Sequence, residues 1–253
     1  MRNIALLIEY DGIGFHGWQS QKDLRNVQDE LAGAIQKITG DRPVVTGCSR
    51  TDAGVHAKGH VSNFKSDIRV PVDKIPIALN SKLPDDISVL KALEVSDSFH
   101  ARFDAVGKEY RYRIIFGQSR PSLDRNRAYF SGSGLDIPTM QKATGSLVGT
   151  HDFKAFMASG SEVKTTIRTI YALDVVSVET GVDILVKGDG FLYNMVRIIA
   201  GTLFYVGNGR FRAEDVSGMI ESGDRRNTGK TLPAYGLYLE KVFYSDGLFG
   251  YNI

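Results

Sequence analysis

The stretch 43–65, PVVTGCSRTDAGVHAKGHVSNFK, contains two strand-like segments on either side of a polar turn. PVVTGC (43–48) is rich in β-branched residues, and HVSNFK (60–65) alternates apolar with polar residues, as half-buried strands do. A turn by itself requires only residues such as Asp and Gly. The additional Arg50 and His56 therefore indicate that this turn has a further function.

The segments before and after this hairpin each combine a strand with a helix. Before it, residues 3–10 (NIALLIEY) predict a buried strand, and Val27 to Thr39 has the apolar period of a helix, which Gly40 ends. After it, residues 71–80 predict a short helix and residues 87–95 (ISVLKALEV) a strand. The resulting order, β-α-β-β-α-β, is typical of a ferredoxin-like half.

A second set of elements follows Phe103 without visible sequence identity to the first. Strands are predicted at 110–116, 165–178, 182–187 and 235–244, and helices at 138–147, 191–206 and 213–222. A long polar loop is predicted over residues 117–134. We therefore expect an α+β protein of two ferredoxin-like halves with antiparallel sheets, an N-terminal half over residues 1–104 and a C-terminal half over residues 105–253.

Composition limits the classes to which the protein can belong. The chain has 253 residues, of which 42% are apolar, enough for one large core or two modest ones. Cys48 is the single cysteine, which excludes an internal disulfide and a Cys-based zinc site and indicates a reducing compartment. No run approaches the ~18 apolar residues of a membrane span. We expect a cytoplasmic protein with no membrane partner.

The basic residues are clustered although the net charge is only +2. Clusters of Lys and Arg interleaved with Tyr suit RNA, because cations pair with phosphates and rings stack on bases. A solvated basic surface is the alternative interpretation. The residues concerned are Lys108, Tyr110, Arg111, Tyr112, Arg113, Arg120, Arg125, Arg127, Tyr129, Arg210, Arg212, Arg225, Arg226 and Lys230.

The polar turn carries the strongest candidate for chemistry. Asp52 lies where the chain leaves a strand, and Arg50 projects from the same face if the segment is extended. A carboxylate beside a guanidinium stays ionised and can act as a nucleophile. The alternative is an Asx-turn in which Asp52 bonds to its own backbone. His56 and His60 are four residues apart, but the glycines around them favour turn and strand over a helical metal site.

We therefore predict no metal, and assign His56 to substrate binding through hydrogen bonding or stacking. The glycines in DGIGFHGWQ (11–19) give only weak support for a nucleotide-binding loop, because the segment lacks the spacing of a phosphate cradle.

Two segments of the second half add further candidates. In KEYRYRI (108–114) Tyr110 and Tyr112 share one face of a strand, where they either stack on a ligand or pack in the core. In GDGFLYNMVRIIAGTLFYVG (188–207) a helix is predicted whose residues from Phe191 to Gly207 are apolar or small, apart from the one charged residue Arg197. A buried guanidinium without a partner is costly, so we expect a carboxylate near Arg197.

Taken together, these motifs resemble the TruA family of tRNA pseudouridine synthases over nearly the whole chain. The matching segments occur in the family's order: YDGIGFHGWQSQ (10–21) with NVQDEL (26–31), CSRTDAGVHAKGHV (48–61), KEYRYRI (108–114), GTHDFKAF (149–156), GFLYNMVRIIAGTL (190–203) and LPAYGLYL (232–239). Each is weak alone, and their common order makes the resemblance strong. Three residues depart from the family pattern: Ser49, His60 and Ala234.

The resemblance implies roles for four residues. Asp52 would be the nucleophile, Arg50 would help to extrude and hold the target nucleotide, Tyr110 would stack on the base, and Arg197 would pair with Asp52. It also implies a pseudouridine synthase fold in which the two sheets form a central RNA-binding cleft. None of the three departures removes one of these reactive groups.

The resemblance implies an isomerase that converts uridine to pseudouridine in the anticodon stem-loop of tRNA, at tRNA positions 38–40, and that acts as a homodimer. The reaction breaks and remakes one bond at the same sugar, with no net redox change, so no cofactor is expected. A non-catalytic RNA-binding protein is one alternative. A nucleoside hydrolase, in which Asp chemistry at C1′ ends in release of the base, is another.

Overall fold

The computed structural model describes residues 1–160 and 163–251. These residues form two compact units, the first comprising Met1–Val106 together with the chain from Tyr238 onward, and the second Gly107–Leu237. Helices and mainly antiparallel strands alternate in both, so the protein is of the α+β class. Within the described residues, no helix is both long enough and apolar enough to cross a membrane.

The first unit confirms the order of elements predicted around the polar turn. Its elements are β1 (Arg2–Tyr10), α1 (Val27–Thr39), β2 (Thr46–Gly47), β3 (His56–Ser66), α2 (Ile75–Asn80) and β4 (Ile87–Val95). The sheet order is β4-β1-β3, with β2 on β3, and these pairs are antiparallel. β2 is shorter than the predicted 43–48 because Pro43 cannot donate a ladder hydrogen bond, and Val44 is exposed.

The second unit repeats the same arrangement. Its elements are β5 (Ala105–Phe116), β6 (Tyr129–Ser131), α3 (Ile137–Thr144), β7 (Gly149–Asp152), β8 (Ile167–Val178), β9 (Gly181–Gly188), α4 (Met195–Gly207) and α5 (Asp215–Ser222). In the second unit, β9 lies between β5 and β8, just as β3 lies between β1 and β2 in the first. Strand β9 is antiparallel to both of its neighbours. The short strands β6 and β7 were not predicted, because three or four residues show no clear period.

The closing strand β10 (Leu237–Tyr244) pairs in parallel with β3, with Tyr238 opposite His56. From Tyr238 on, it belongs to the first unit, whereas the sequence analysis grouped it with residues 105–253. Gly59 permits this packing, because a Cβ there would overlap the Glu240 carbonyl. Alternation identifies a strand but not its partner, which is why the sequence did not indicate this pairing.

Helix α1 has the limits that its sequence predicts. Asn26 caps its first turn by accepting a hydrogen bond from the Asp29 amide at 2.8 Å, and Gly40 ends it with a positive φ of 88°. Its apolar face includes Leu31 and Ile35, both fully buried. Helix α1 therefore contributes a covering layer to the core of the first unit.

In the second unit, helix α4 packs directly against the segment 228–233. A Cβ on Gly201 would overlap the Lys230 carbonyl, so the helix and the segment meet backbone to backbone. The Gly229 amide donates to Thr202 Oγ1 at 2.9 Å, and the Leu232 amide donates to the Arg197 carbonyl at 3.3 Å. These two bonds fix the register of the segment and bring Leu232 beside Arg197.

Replacing Gly201 by Ala is expected to destabilise the protein, although Ala is the better helix former. The added methyl group forces the segment 228–233 away from α4, and overpacking of this kind costs about 1–3 kcal/mol. The matched control is Gly218→Ala in α5, where a Cβ meets nothing within 4 Å. That change is expected to add about 0.5–1 kcal/mol to the free energy of unfolding. Denaturant unfolding of both variants measures the difference, and an equal effect would contradict the close contact.

Candidate active site

Asp52 lies on a loop, residues 48–55, between β2 and β3. The Val55 amide donates to the Asp52 carbonyl at 3.1 Å, and Gly54 has a φ of 81°. A positive φ at the third residue of such a turn is the position where glycine is favoured. The turn leaves Asp52 half-buried and Ala53 exposed, so the carboxylate is carried at the tip of a tightly closed loop.

The segment that follows β1, residues 11–19 (DGIGFHGWQ), supports this loop from one side, and we call it the opening segment. The Trp18 amide donates to the Thr51 carbonyl at 3.1 Å, and the Gly54 amide donates to the Phe15 carbonyl at 3.4 Å. Gly17 has a φ of 89°, and a Cβ there would overlap the Thr51 carbonyl oxygen. A Cβ on Gly12 would overlap the Val55 carbonyl in the same way. These two glycines of DGIGFHGWQ therefore allow close approach to the Asp52 loop.

Side chains buried beneath the loop hold it from below. Tyr10 and Thr51, 3% and 7% exposed, share a hydroxyl–hydroxyl hydrogen bond of 2.8 Å. The Trp18 and His60 rings stack with their centroids 3.9 Å apart. His60 Nε2 donates to the Ser49 carbonyl at 3.1 Å. His60 and Ser49, two of the three residues that depart from the family pattern, are therefore in contact. Sequence reasoning did not single out Tyr10 or Trp18, since buried rings at strand ends are usual core residues.

Arg50 lies two residues before Asp52, and its side chain is exposed. Its Nε donates to Gln19 Oε1 at 3.0 Å. Gln19 belongs to the opening segment and was not predicted as a site residue. The bond ties the guanidinium to the segment that supports the loop, and its acceptor is a neutral amide oxygen.

His56, which the sequence assigns to substrate binding, has a ring that is 2% exposed. Its Nδ1 lies 3.1 Å from both the Gly12 amide nitrogen and Asp11 Oδ1. Nδ1 accepts from the amide when it carries no proton and donates to the carboxylate when it carries one, so it makes only one of these bonds at a time. The ring also stacks on Tyr238 at 4.7 Å. His56 thus joins the opening segment to β3 and β10.

In the second unit, Tyr110 lies on β5 opposite Val186 of β9. It is 7% exposed and packs edge-to-face on Phe191, with ring centroids 5.2 Å apart. Tyr112, which shares its face of the strand, is fully buried and donates from its hydroxyl to the Pro233 carbonyl at 2.8 Å. Burial raises the pKa of the Tyr112 hydroxyl well above its usual range. Tyr112 is therefore a neutral structural donor.

Arg197 projects from the first turn of α4 and is half-buried. Its Nε donates to the Leu232 carbonyl at 2.7 Å, and its Nη1 donates to Asn194 Oδ1 at 2.6 Å. These two bonds orient the guanidinium. Asn194 has a φ of 60° and a ψ of 8°, which is why α4 begins at Met195 and not at the predicted residue 191.

Comparison with known proteins identifies the family. The family model for tRNA pseudouridine synthases matches residues 6–104 and 143–245 of this chain. Those ranges include the Asp52 loop and the Arg197 helix. The chain belongs to the tRNA pseudouridine synthase family.

Members of this family with high similarity span the full length of the chain. The chain is 48% identical over 245 residues to tRNA pseudouridine synthase A of Ruminiclostridium cellulolyticum, and the match covers 96% of this chain and 100% of the relative. The proteins of the same name from Thermoanaerobacter pseudethanolicus and Acetivibrio thermocellus are also 48% identical, with the same coverage. The agreement therefore extends across both units of this pseudouridine synthase.

Among solved structures, a Cbf5-Nop10-Gar1 complex gives a TM-score of 0.36 at 14% identity, over 79% of this chain and 44% of that chain. A likeness this distant adds nothing to the assignment of this pseudouridine synthase.

The hydrogen bond between Tyr10 and Thr51 is expected to stabilise the Asp52 loop. Thr51→Val leaves the buried Tyr10 hydroxyl without this partner and is expected to cost about 1–3 kcal/mol, whereas the double variant with Tyr10→Phe removes both groups and costs less than the sum of the two single changes. Unfolding of the wild type, both single variants and the double variant measures the coupling. Additive effects would contradict a direct bond between the two hydroxyls.

Proposed function

We propose that this protein isomerises uridine to pseudouridine in the anticodon stem-loop of tRNA, with Asp52 as the nucleophile. The observation that carries the proposal is the Asp52 loop itself, which bonds to the opening segment, to Tyr10 of β1 and to β3. A half-buried carboxylate on such a loop keeps one position relative to a bound nucleotide. Relatives with 48% identity are named for the same activity.

The reaction that we propose is an internal rearrangement of one nucleotide. The bond from N1 to C1′ breaks, the bond from C5 to C1′ forms, the proton of C5 leaves, and N1 gains a proton. A carboxylate serves this chemistry by attacking either C1′ of the sugar or C6 of the base, with a covalent intermediate that divides one difficult step into two. No electron acceptor or external group enters the balance.

The target base must leave its stack before Asp52 reaches it. We assign the extrusion to Arg50, whose exposed guanidinium is held beside the loop by Gln19. Tyr110 would then stack on the base, which is worth about 1–3 kcal/mol and offsets part of the cost of unstacking. The bond of Arg50 to a neutral amide supports this role, because the cation remains able to attract phosphate.

Arg197 is the proposed cationic partner that keeps Asp52 ionised during attack. Two of its acceptors, the Leu232 carbonyl and the Asn194 amide, orient the guanidinium. A guanidinium close to a carboxylate favours the ionised form of that carboxylate. We further propose that the enzyme acts as a homodimer whose two copies both contact the RNA, and that it acts in the cytoplasm.

Replacing Asp52 by Asn is expected to abolish pseudouridine formation, with a fall of roughly a thousandfold or more, because the amide is not a nucleophile. RNA binding is expected to persist, since the size of the side chain is unchanged. The measurement is carbodiimide mapping of pseudouridine in an unmodified tRNA transcript after single-turnover incubation, with a parallel binding assay.

The same assay separates the alternatives. A wild type that binds the transcript but never modifies it would be a non-catalytic RNA-binding protein. Release of free uracil would indicate a nucleoside hydrolase. Turnover by the Asp52→Asn variant at the wild-type rate would contradict the role given to this carboxylate.

Replacing Tyr110 tests base stacking. Tyr110→Phe keeps the ring and its contact with Phe191, and is expected to bind the transcript as the wild type does. Tyr110→Ala removes the ring and is expected to weaken RNA binding by about 1–3 kcal/mol, roughly 5- to 150-fold. Because Tyr110 is 7% exposed, melting temperatures are measured alongside. If the Ala variant melts earlier but binds and reacts like the wild type, Tyr110 is a core residue only.

A further inference from the structure

Asn194 immediately precedes helix α4, at the position where an Asn usually caps the helix. In this structure its side chain makes no capping bond to the helix backbone. Its amide oxygen accepts instead from Arg197 Nη1 at 2.6 Å, three residues further along the chain. The first turn of α4 thus lacks a cap from Asn194, and the amide is used to bind Arg197 instead.

The backbone conformation of Asn194 directs the amide toward Arg197. A φ of 60° is one that few residues other than glycine adopt readily, and Asn is among those few. Glycine would satisfy the backbone more easily but would supply no acceptor. Asn at this position thus adopts the left-handed backbone conformation and also supplies an uncharged oxygen as an acceptor.

Two acceptors hold Arg197 through different nitrogens and so orient the plane of its guanidinium. The Leu232 carbonyl holds Nε and the Asn194 amide holds Nη1. Leu232 is itself held by its amide bond to the Arg197 carbonyl, and Tyr112 holds the neighbouring Pro233 carbonyl. Since one acceptor is a main-chain group, Asn194 is the one whose chemistry a substitution changes.

We propose that Asn194 is a positioning residue for the reaction, acting through Arg197. A guanidinium has five N–H donors in one rigid plane, and the two bonds described use one on Nε and one on Nη1. The bond to Asn194 therefore sets the direction of the whole guanidinium, including the donors that serve a carboxylate. The inference rests on the proposed function, because it assumes that Arg197 assists Asp52.

The test compares Asn194→Gly in two backgrounds, the wild type and Arg197→Lys. Glycine keeps the backbone conformation and removes only the amide. In the wild-type background the single-turnover rate on an unmodified tRNA transcript is expected to fall about tenfold to a hundredfold, as for loss of a hydrogen bond to a charged group. Lysine has no Nη1, so in the Arg197→Lys background the same change is expected to alter the rate by less than about twofold.

Controls separate positioning from folding. Asp23→Gly places glycine at another residue with a φ of 60°, and is expected to leave the rate unchanged. Asn194→Ala also lacks the amide but adds backbone strain, so its melting temperature is expected to fall further while its rate matches that of Asn194→Gly. RNA dissociation constants of both Asn194 variants are expected to stay within about twofold of the wild type.

Three outcomes would overturn the inference. The first is a wild-type rate for Asn194→Gly, the second is an equal loss in both backgrounds, and the third is a rate that follows the melting temperature across the two Asn194 variants. A wild type that forms no pseudouridine would instead overturn the proposed function, so the two failures are distinguishable.

Discussion

The candidate site depends on a contact between two loops that have little regular structure of their own. The segment around Gly12 and Gly17 lies directly against the Asp52 loop, with carbonyl groups where Cβ atoms would otherwise stand. Backbone bonds from Trp18 and Gly54 close the contact. A loop held in this way loses little further entropy when a substrate binds, so the carboxylate can be oriented before RNA arrives.

In the second unit, uncharged groups help to orient a candidate cation. Arg197 donates to the Leu232 carbonyl and to the Asn194 amide oxygen, and in the first unit Arg50 donates to the amide oxygen of Gln19. Such oxygens satisfy part of the planar donor geometry of a guanidinium. Both candidate cations of the proposed reaction are oriented in this way.

Much of the fold followed from local patterns. The limits of α1 and β4 agree with the prediction to the residue, because a cap and a strong period mark them. The start of α4 was misplaced by four residues, since apolar periodicity does not report the positive φ of Asn194. For the site, the sequence indicated Asp52, Arg50, Tyr110 and Arg197, whose polar or aromatic character is unusual for their surroundings. It gave no sign of Gln19 or Asn194, because amides are common in loops.

The sequence alone determined the class of fold and the family, and it indicated candidate residues for the chemistry, because each of these leaves a local trace in residue type and spacing. Tertiary structure decided what these groups touch. Only the folded chain showed that His56 is buried on Tyr238, that β10 joins β3, and that the glycines near residue 12 support the loop. Such contacts join residues that are far apart along the chain, and no periodicity within one segment encodes them.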